Sequence, residues 1–241
     1  MCFTDPELRW ENLPELFPGF DNPLRWLPLL AAHVGLLHEA ASRVRVTSVE
    51  DSRMVQRNYA ESLEHWRIAL EGVGTPTLAV DIGPGGGFPG LVAAIVSPDI
   101  QFHLVEPLQK RARLLESVKE HLGLANVVVH AVRAEQAARG PLRDAADIVT
   151  ARAVAELREL IEYAAPFART GGILALAKGS AVRVEIEAAA NATSELCCRA
   201  LAPLPMRPII SGHISVALFE KSAPTPPRYP RRPGVPGKRP L

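Results

Sequence analysis

From residue 77 onward, short aliphatic runs alternate with stretches of helical periodicity. The aliphatic runs are predicted to form strands at Leu78–Asp81, Gln101–Glu106, Val127–Ala131, Asp147–Thr150 and Ile173–Ala177. Helices are predicted between them, near Gly90–Val96, Lys110–Leu122, Glu135–Arg139 and Val154–Phe167. Strands that alternate with helices form a parallel sheet covered by helices on both faces. The sequence therefore predicts an α/β fold with a doubly wound, Rossmann-like sheet.

Segments of a different character flank this region. Apolar residues at helical spacing predict two N-terminal helices, one within residues 24–44 and one within residues 51–70. A further helix near Val184–Ala192 and a hairpin-like pair of apolar segments, 195–201 and 214–219, are expected at the far edge of the sheet. We therefore divide the chain into a helical N-terminal cap (1–74), an α/β domain (75–221) and a tail rich in proline and arginine (222–241).

The composition of the 241-residue chain, 47% hydrophobic and 22% charged, is that of an ordinary globular protein. No apolar run approaches the roughly 20 residues that a membrane-spanning helix needs. The first residues lack the apolar region of a secretory signal, and two of the three cysteines, Cys197 and Cys198, are neighbours. These features predict a cytoplasmic protein with reduced thiols and no membrane partner. None of the seven histidines has zinc-site spacing, so no metal is expected.

The net charge of +1 is unevenly distributed. The tail carries Arg228, Arg231, Arg232, Lys238 and Arg239 and no acidic residue. Its many prolines favour extended conformations. The tail is therefore predicted to be an extended basic arm without a core of its own, and a disordered solubilising tail is the alternative.

The segment LAVDIGPGGGFPG (78–90) joins a predicted strand to a predicted helix. The strand ends at Asp81 and opens into Gly83, Gly85 and Gly87. Glycines let the backbone approach a ligand closely, and a helix N-terminus presents unpaired amides, so a nucleotide or nucleoside is indicated. The spacing differs from a dinucleotide fingerprint and is typical of S-adenosylmethionine-dependent methyltransferases. The alternative is a tight turn that binds no ligand.

Glu106 ends the second predicted strand. A carboxylate at that point can accept hydrogen bonds from both ribose hydroxyls of an adenosine, as the acid that follows a dinucleotide loop does. The alternative is an acidic residue favoured at the start of a helix by the helix dipole.

Several segments together resemble the bacterial small-subunit ribosomal RNA guanine-N7 methyltransferases, also called the glucose-inhibited division protein B family. The segments are DIGPGGGFPG (81–90), HLVEPLQKRARLLESV (103–118), VRAEQ (132–136), TARAVAEL (150–157), GGILALAKG (171–179) and RYPRRPGVPGKRPL (228–241). The chain departs from the family in its N-terminal segment. Ala40 and Ala41 stand where the family has tryptophan and asparagine, and Arg45, Val46 and Thr47 replace its asparagine, leucine and threonine. This departure concerns substrate docking more than cofactor binding.

The resemblance implies a class I methyltransferase fold, S-adenosylmethionine as cofactor, and 16S ribosomal RNA, free or in the small-subunit particle, as substrate. A monomer is expected. The implied cofactor-binding residues are Gly83, Phe88, Glu106, Ala134, Glu135 and Arg152, and the glycine-loop pattern adds Asp81, Gly85 and Gly87 to the expected cofactor site. Arg152 is also the implied catalytic residue, near the methionine end of the cofactor. The implied RNA-contacting residues are Arg133 and Lys178, and Arg231 and Arg232 of the basic tail are also expected to contact the RNA.

The positions of Arg152 and Lys178 also support a site on independent grounds. Both end predicted strands, at the sheet edge where open α/β sheets bind ligands. The alternatives are an ion pair between Arg152 and Glu156, one turn later, and a solvated Lys178.

The residues that follow the fourth strand favour methylation of guanine N7 over methylation of an amino group. N7 has a lone pair and no proton, so methylation needs alignment and no general base. Amino-group methyltransferases commonly carry an aspartate or asparagine, two prolines and an aromatic residue here, whereas this chain has TARA at 150–153. Two alternatives are a methyltransferase of the same fold acting on a small molecule, and a non-catalytic module that binds an adenosine nucleotide.

Overall fold

The computed structural model of the protein describes residues 8–42, 44 and 53–241. In these residues eight strands form one sheet, in the order β3-β2-β1-β4-β5-β8-β6, with β7 paired to β8. The strands are β1 Leu78–Ile82, β2 Gln101–Val105, β3 Val127–His130, β4 Ala146–Arg152, β5 Ala168–Lys178, β6 Cys198–Ala200, β7 Leu204–Pro205 and β8 Ser215–Lys221. Strands β1 to β5 are parallel, and the order reverses between β1 and β4. Open α/β sheets bind ligands at such a reversal.

The helices cover both faces of the sheet. They are α1 Leu13–Leu16, α2 Pro23–Ala40, α3 Glu61–Glu71, α4 Gly90–Val96, α5 Gln109–Leu122, α6 Ala134–Ala137, α7 Leu157–Ala164, α8 Val182–Ala188, α9 Ala190–Glu195 and α10 Val235–Lys238. A 3₁₀ turn, Trp10–Asn12, precedes α1, and a π-helical turn, Val55–Ala60, leads into α3. In the described part of the chain, no helix is long and apolar enough to cross a membrane.

The predicted strands and helices are present with small shifts in their ends. The expected edge pair is confirmed, because β6 and β8 run antiparallel to each other beyond β5. The helix predicted from Val154 begins instead at Leu157, because Glu156 has an extended backbone, with a ψ of 153°, and so lies outside the helix. The helix predicted near Val184–Ala192 is two helices, α8 and α9, that meet at Ala189.

The N-terminal cap is a layer of the same domain. Trp26 on α2 and Trp66 on α3 are fully buried, and they belong to one apolar core with α4 and with Phe102 of β2. Tyr59 and Leu63, at the same helical spacing as Trp66, are buried in that core. A second core lies on the opposite face of the sheet, under α7, α8 and α9.

The prediction of an extended arm for the tail is wrong, because the tail packs against the domain and ends in α10. The Arg231 guanidinium donates two hydrogen bonds to the buried Glu162 carboxylate of α7, at 2.9 and 2.5 Å. Thr225 donates to Asp144, and the Arg143 guanidinium donates to the carbonyl oxygens of Thr225 and Tyr229. Proline-rich composition gave no sign of these long-range contacts.

Candidate active site

A cavity of about 320 Å³ opens at the carboxyl ends of the parallel strands, next to the reversal in strand order. Of the residues predicted to bind cofactor or RNA, five line it: Gly83, Glu106, Arg133, Ala134 and Glu135. Arg111, Glu159 and Tyr163 also line the cavity, and of these Glu159 and Tyr163 were not predicted site residues. They lie on α5 and α7, whereas the predicted site residues were sought where the strands end.

The glycine loop after β1 adopts a backbone that only glycine adopts readily. Gly83, Gly85 and Gly87 have φ angles of +66°, +59° and +103°. A Cβ at Gly87 would lie 2.6 Å from Leu91 Cδ1, whereas a Cβ at Gly85 would meet no atom within 4 Å. The loop is thus tightly packed at Gly87 and open at Gly85. Of the three, Gly83 lines the cavity.

Asp81 organises this loop from beneath. It is buried, and its carboxylate accepts hydrogen bonds from the Gly90 amide and the Thr150 hydroxyl, both at 2.8 Å. Burial raises the pKa of Asp81 to about 7. Asp81 does not line the cavity and holds the start of α4 and the end of β4 in place, so its role as a direct cofactor ligand stays a prediction.

Glu106 holds its carboxylate at the rim of the cavity in one orientation. Oε2 accepts a hydrogen bond from the Gly85 amide at 3.1 Å, and Oε1 accepts one from the Leu108 amide at 2.9 Å. Each carboxylate oxygen has two lone pairs, so each can still accept a hydrogen bond from a ribose hydroxyl. The residue thus joins the glycine loop to the end of β2 in a geometry that suits a nucleoside.

Phe88 lies outside the cavity lining, in an aromatic cluster with His33 and Tyr59 of the N-terminal cap. Nε2 of His33 donates to the Gly86 carbonyl at 2.9 Å, because a carbonyl only accepts, and Nδ1 then accepts from the Tyr59 hydroxyl at 3.1 Å. Burial lowers the pKa of His33 to about 4, so the ring is neutral at physiological pH. The cap therefore supports the glycine loop, a contact that sequence reasoning missed. The only sign of this contact in the sequence is that His33 lies on the apolar face of α2, which indicates a buried histidine.

Arg152 and Lys178 lie at the carboxyl ends of β4 and β5, as predicted. Arg152 does not pair with Glu156, since its Nη2 lies 3.1 Å from Glu61 Oε2 and donates to the Arg57 carbonyl. Lys178 pairs with Glu185 at 2.6 Å and is not a solvated lysine. Arg152 does not line the cavity, but the next residues, 153 and 154, do. Glu61 is a residue of this site that sequence reasoning missed.

The other residues predicted to contact RNA differ in their surroundings. Arg133 precedes α6 and is exposed at the rim of the cavity, and Arg232 is exposed in the tail. Arg231 instead attaches the tail to Glu162, so we assign it that role in place of RNA contact. Arg45, Val46 and Thr47 lie outside the described residues.

Among the described residues, no group of three histidine, cysteine, aspartate or glutamate side chains could hold a metal ion. Cys197 and Cys198 are both free in this structure. Absence of a metal from the enzyme stays a prediction.

The model of the rRNA small subunit methyltransferase G family matches residues 27–204 of this chain. The chain belongs to this family. Two curated relatives carry the name "Ribosomal RNA small subunit methyltransferase G". The one from Roseiflexus castenholzii is 40% identical over 201 residues, which cover 83% of this chain and 85% of the relative. The one from Symbiobacterium thermophilum is 40% identical over 217 residues, which cover 87% of each chain.

Solved methyltransferase structures share the fold. M. jannaschii TYW2 in complex with AdoMet has a TM-score of 0.55 at 16% identity, covering 75% of this chain and 80% of that chain. A SAM-dependent methyltransferase from Aquifex aeolicus has a TM-score of 0.52 at 14% identity, covering 71% and 94%. These matches confirm the predicted class I methyltransferase fold, and the family match confirms the predicted resemblance. The roles of individual site residues stay predictions.

Proposed function

We propose that this member of the rRNA small subunit methyltransferase G family transfers a methyl group from S-adenosylmethionine to N7 of a guanosine in 16S ribosomal RNA. The observation that carries the proposal is the family match over residues 27–204, whose segment contains every residue around the cavity. When bound, S-adenosylmethionine supplies an electrophilic methyl group on a sulfonium.

The residues of the cavity fit this cofactor. The Glu106 carboxylate is fixed by two backbone amides and retains lone pairs for the ribose hydroxyls. Glu135 is fixed in the same way, since its Oε1 accepts a hydrogen bond from the Gly234 amide at 2.9 Å. Gly83 allows close approach of a ligand to the backbone at the end of β1, where the resemblance places the methionine side of the cofactor.

The residues near the expected methyl group suit N7 as the acceptor. N7 carries no proton, so the chain has to align the base and manage charge, without removing a proton. Arg152 is permanently charged and ends β4 beside two cavity residues, which suits it to orient the guanine. It thus meets the needs of alignment without supplying a base.

For the RNA backbone, we assign contacts to Arg133 and Arg232, which are exposed, and to Lys178, at the end of β5. Phosphate contacts of this kind position the RNA without reading its sequence. We also assign a cytoplasmic location and a monomeric state to the enzyme.

A transfer assay tests the proposal. The purified protein is incubated with radiolabelled S-adenosylmethionine and small-subunit particles or 16S RNA from cells that lack the enzyme, and the RNA is digested to nucleosides. Label in 7-methylguanosine is expected. Label in another nucleoside would reject N7, and no transfer to RNA would favour the small-molecule or non-catalytic alternative.

A further inference from the structure

A buried cluster of charged side chains lies beside the cavity, where α3 crosses the carboxyl end of β4. Glu61 of α3 is fully buried, and its Oε2 lies 3.1 Å from Nη2 of Arg152. The Nε of Arg57 lies 3.4 Å from Oε1. Burial raises the pKa of Glu61, opposed mainly by the positive charges of Arg152 and Arg57.

The cluster has hydrogen-bonding capacity that the described residues leave unused. The buried Nη1 of Arg152 donates no hydrogen bond to them, and the Glu61 carboxylate, which has the Ser211 hydroxyl and the two arginines beside it, keeps lone pairs that no well-aligned donor among the described residues fills. Native folds normally satisfy buried polar groups, because such a group has lost its water without gaining another partner. Glu64, on the same helix and equally buried, accepts hydrogen bonds from both Arg67 and Arg207. The contrast indicates that Glu61 and Arg152 are arranged for a ligand.

The cluster is next to the expected methyl donor and within reach of solvent. In the pairing of β1 with β4, Ile82 faces Ala151, so Gly83 and Arg152 follow side by side. The Arg57 side chain of the cluster is 39% exposed, and its Nη1 lies 3.0 Å from Nε2 of the exposed His213. These two side chains are surface groups that an incoming base can displace.

We propose that Glu61 and Arg152 together recognise the Watson–Crick edge of the target guanine, an inference that rests on the proposed function. This edge presents the O6 acceptor, the N1–H donor and the N2 amino donor in a row. Arg152 Nη1 donates to O6, and the Glu61 carboxylate accepts from N1–H and from the N2 amino group. Enzymes that act on nucleobases read an unstacked base in this way.

This arrangement selects guanine over adenine. Adenine presents an amino donor in place of O6 and an acceptor in place of N1–H. Its amino group would then face the N–H donors of Arg152, and its N1 lone pair would face the lone pairs of the Glu61 carboxylate. A site that hydrogen-bonds its substrate strongly rejects an analogue that leaves buried polar groups unpaired. Because O6 and N7 are neighbours on the base, the contact with Arg152 also orients N7 for transfer.

Inosine tests the inference, because it keeps O6, N1–H and N7 of guanosine and lacks only the N2 amino group. The substrates are two ligated 16S RNAs that carry guanosine or inosine at the methylated position, offered in whichever form, free or assembled, the wild-type enzyme methylates. The wild-type kcat/KM is expected to be about 10-fold lower for inosine, since one hydrogen bond to a charged group contributes roughly 1.5 kcal/mol. Equal rates on both RNAs would overturn the inference without any variant.

The variant Glu61→Gln then tests whether Glu61 makes the contact with the N2 amino group. It is expected to lower kcat/KM on the guanosine RNA by about 100-fold and to reduce the inosine penalty to about 2-fold or less, with S-adenosylmethionine affinity unchanged. Glu64→Gln is the matched control on the same helix and is expected to keep the full inosine penalty. An unchanged penalty in Glu61→Gln would show that Glu61 only positions Arg152, and would overturn the inference. Failure of the wild-type enzyme on the guanosine RNA itself would instead reject the proposed function.

Discussion

At the scale of single residues, the cavity rim is set by carboxylates that backbone amides hold in place. Glu106 is the clearest of them, because its two oxygens accept from the amides of Gly85 and Leu108. The same carboxylate therefore holds the glycine loop and offers its remaining lone pairs to a ligand.

Glu106→Gln is expected to lower S-adenosylmethionine affinity by about 10- to 100-fold. A carboxamide offers one acceptor oxygen in place of two, and its amino group would face a backbone donor. Titration calorimetry gives the affinity. Glu116→Gln, which alters an exposed pair with Lys119 on α5, is the control and should bind as the wild type does. Wild-type affinity in a folded Glu106→Gln variant would contradict this role.

His33 predicts a pH dependence of stability. Its pKa is lowered to about 4 in the folded state, so the unfolded chain takes up a proton first as the pH falls below 6.5. Stability is therefore lost between pH 6.5 and about 4, by about 3 kcal/mol from this residue. Urea unfolding of the wild type and of His33→Gln across this range measures it. The two curves should converge as the pH falls, and a constant difference would exclude titration of His33.

At the scale of elements, the turn from β1 into α4 needs glycine at position 85 for its backbone conformation, and not because neighbouring atoms leave no room for a side chain. Gly85 has a φ of +59°, and a Cβ added to it would meet no atom within 4 Å, so the described residues leave room for a side chain there. Asparagine tolerates this left-handed backbone far better than valine does.

Gly85→Val is expected to lower S-adenosylmethionine affinity by more than 10-fold while the protein stays folded, and Gly85→Asn is expected to lower it less. The physical reason is that valine adds backbone strain of about 1–2 kcal/mol to the obstruction. Calorimetry with far-UV circular dichroism separates binding from folding. Equal, wild-type binding by both variants would show that the ligand does not approach this loop.

At the scale of the whole molecule, the tail is part of the enzyme's architecture. The ion pair between Arg231 and Glu162 fastens it to α7, and the Gly234 amide holds Glu135 at the cavity wall. The tail is therefore predicted to affect cofactor binding, through Glu135, as well as stability.

Glu162→Gln is expected to lower the free energy of unfolding by about 3 kcal/mol, because it leaves a largely buried arginine without its counter-charge. Truncation after Ser222 should lower stability further and weaken S-adenosylmethionine binding several-fold. Denaturant unfolding and calorimetry measure the two effects. Glu220→Gln, in an exposed pair with Arg199, is the control and should change stability by less than about 1 kcal/mol. A truncated protein with the stability and affinity of the full chain would show that the tail contributes to neither.

The sequence predicted those parts of the site that follow from local pattern. The ends of β1 and β2 bring Gly83 and Glu106 to one sheet edge, because parallel strands align their carboxyl ends, and no long-range contact is needed to see it. The pairing of Glu61 with Arg152 and the docking of Arg231 on Glu162 join segments that are far apart in the chain. Such partners are chosen by tertiary packing, which spacing and composition do not encode.

Mapping of modified nucleosides in 16S ribosomal RNA tests the central claim most directly. RNA is compared by mass spectrometry between wild-type cells, a strain that lacks this gene, and that strain carrying either the wild-type gene or the Glu106→Gln variant. One 7-methylguanosine is expected to disappear on deletion, to return with the wild-type gene, and to return weakly or not at all with the variant. An unchanged 7-methylguanosine content in the deletion strain would contradict the account.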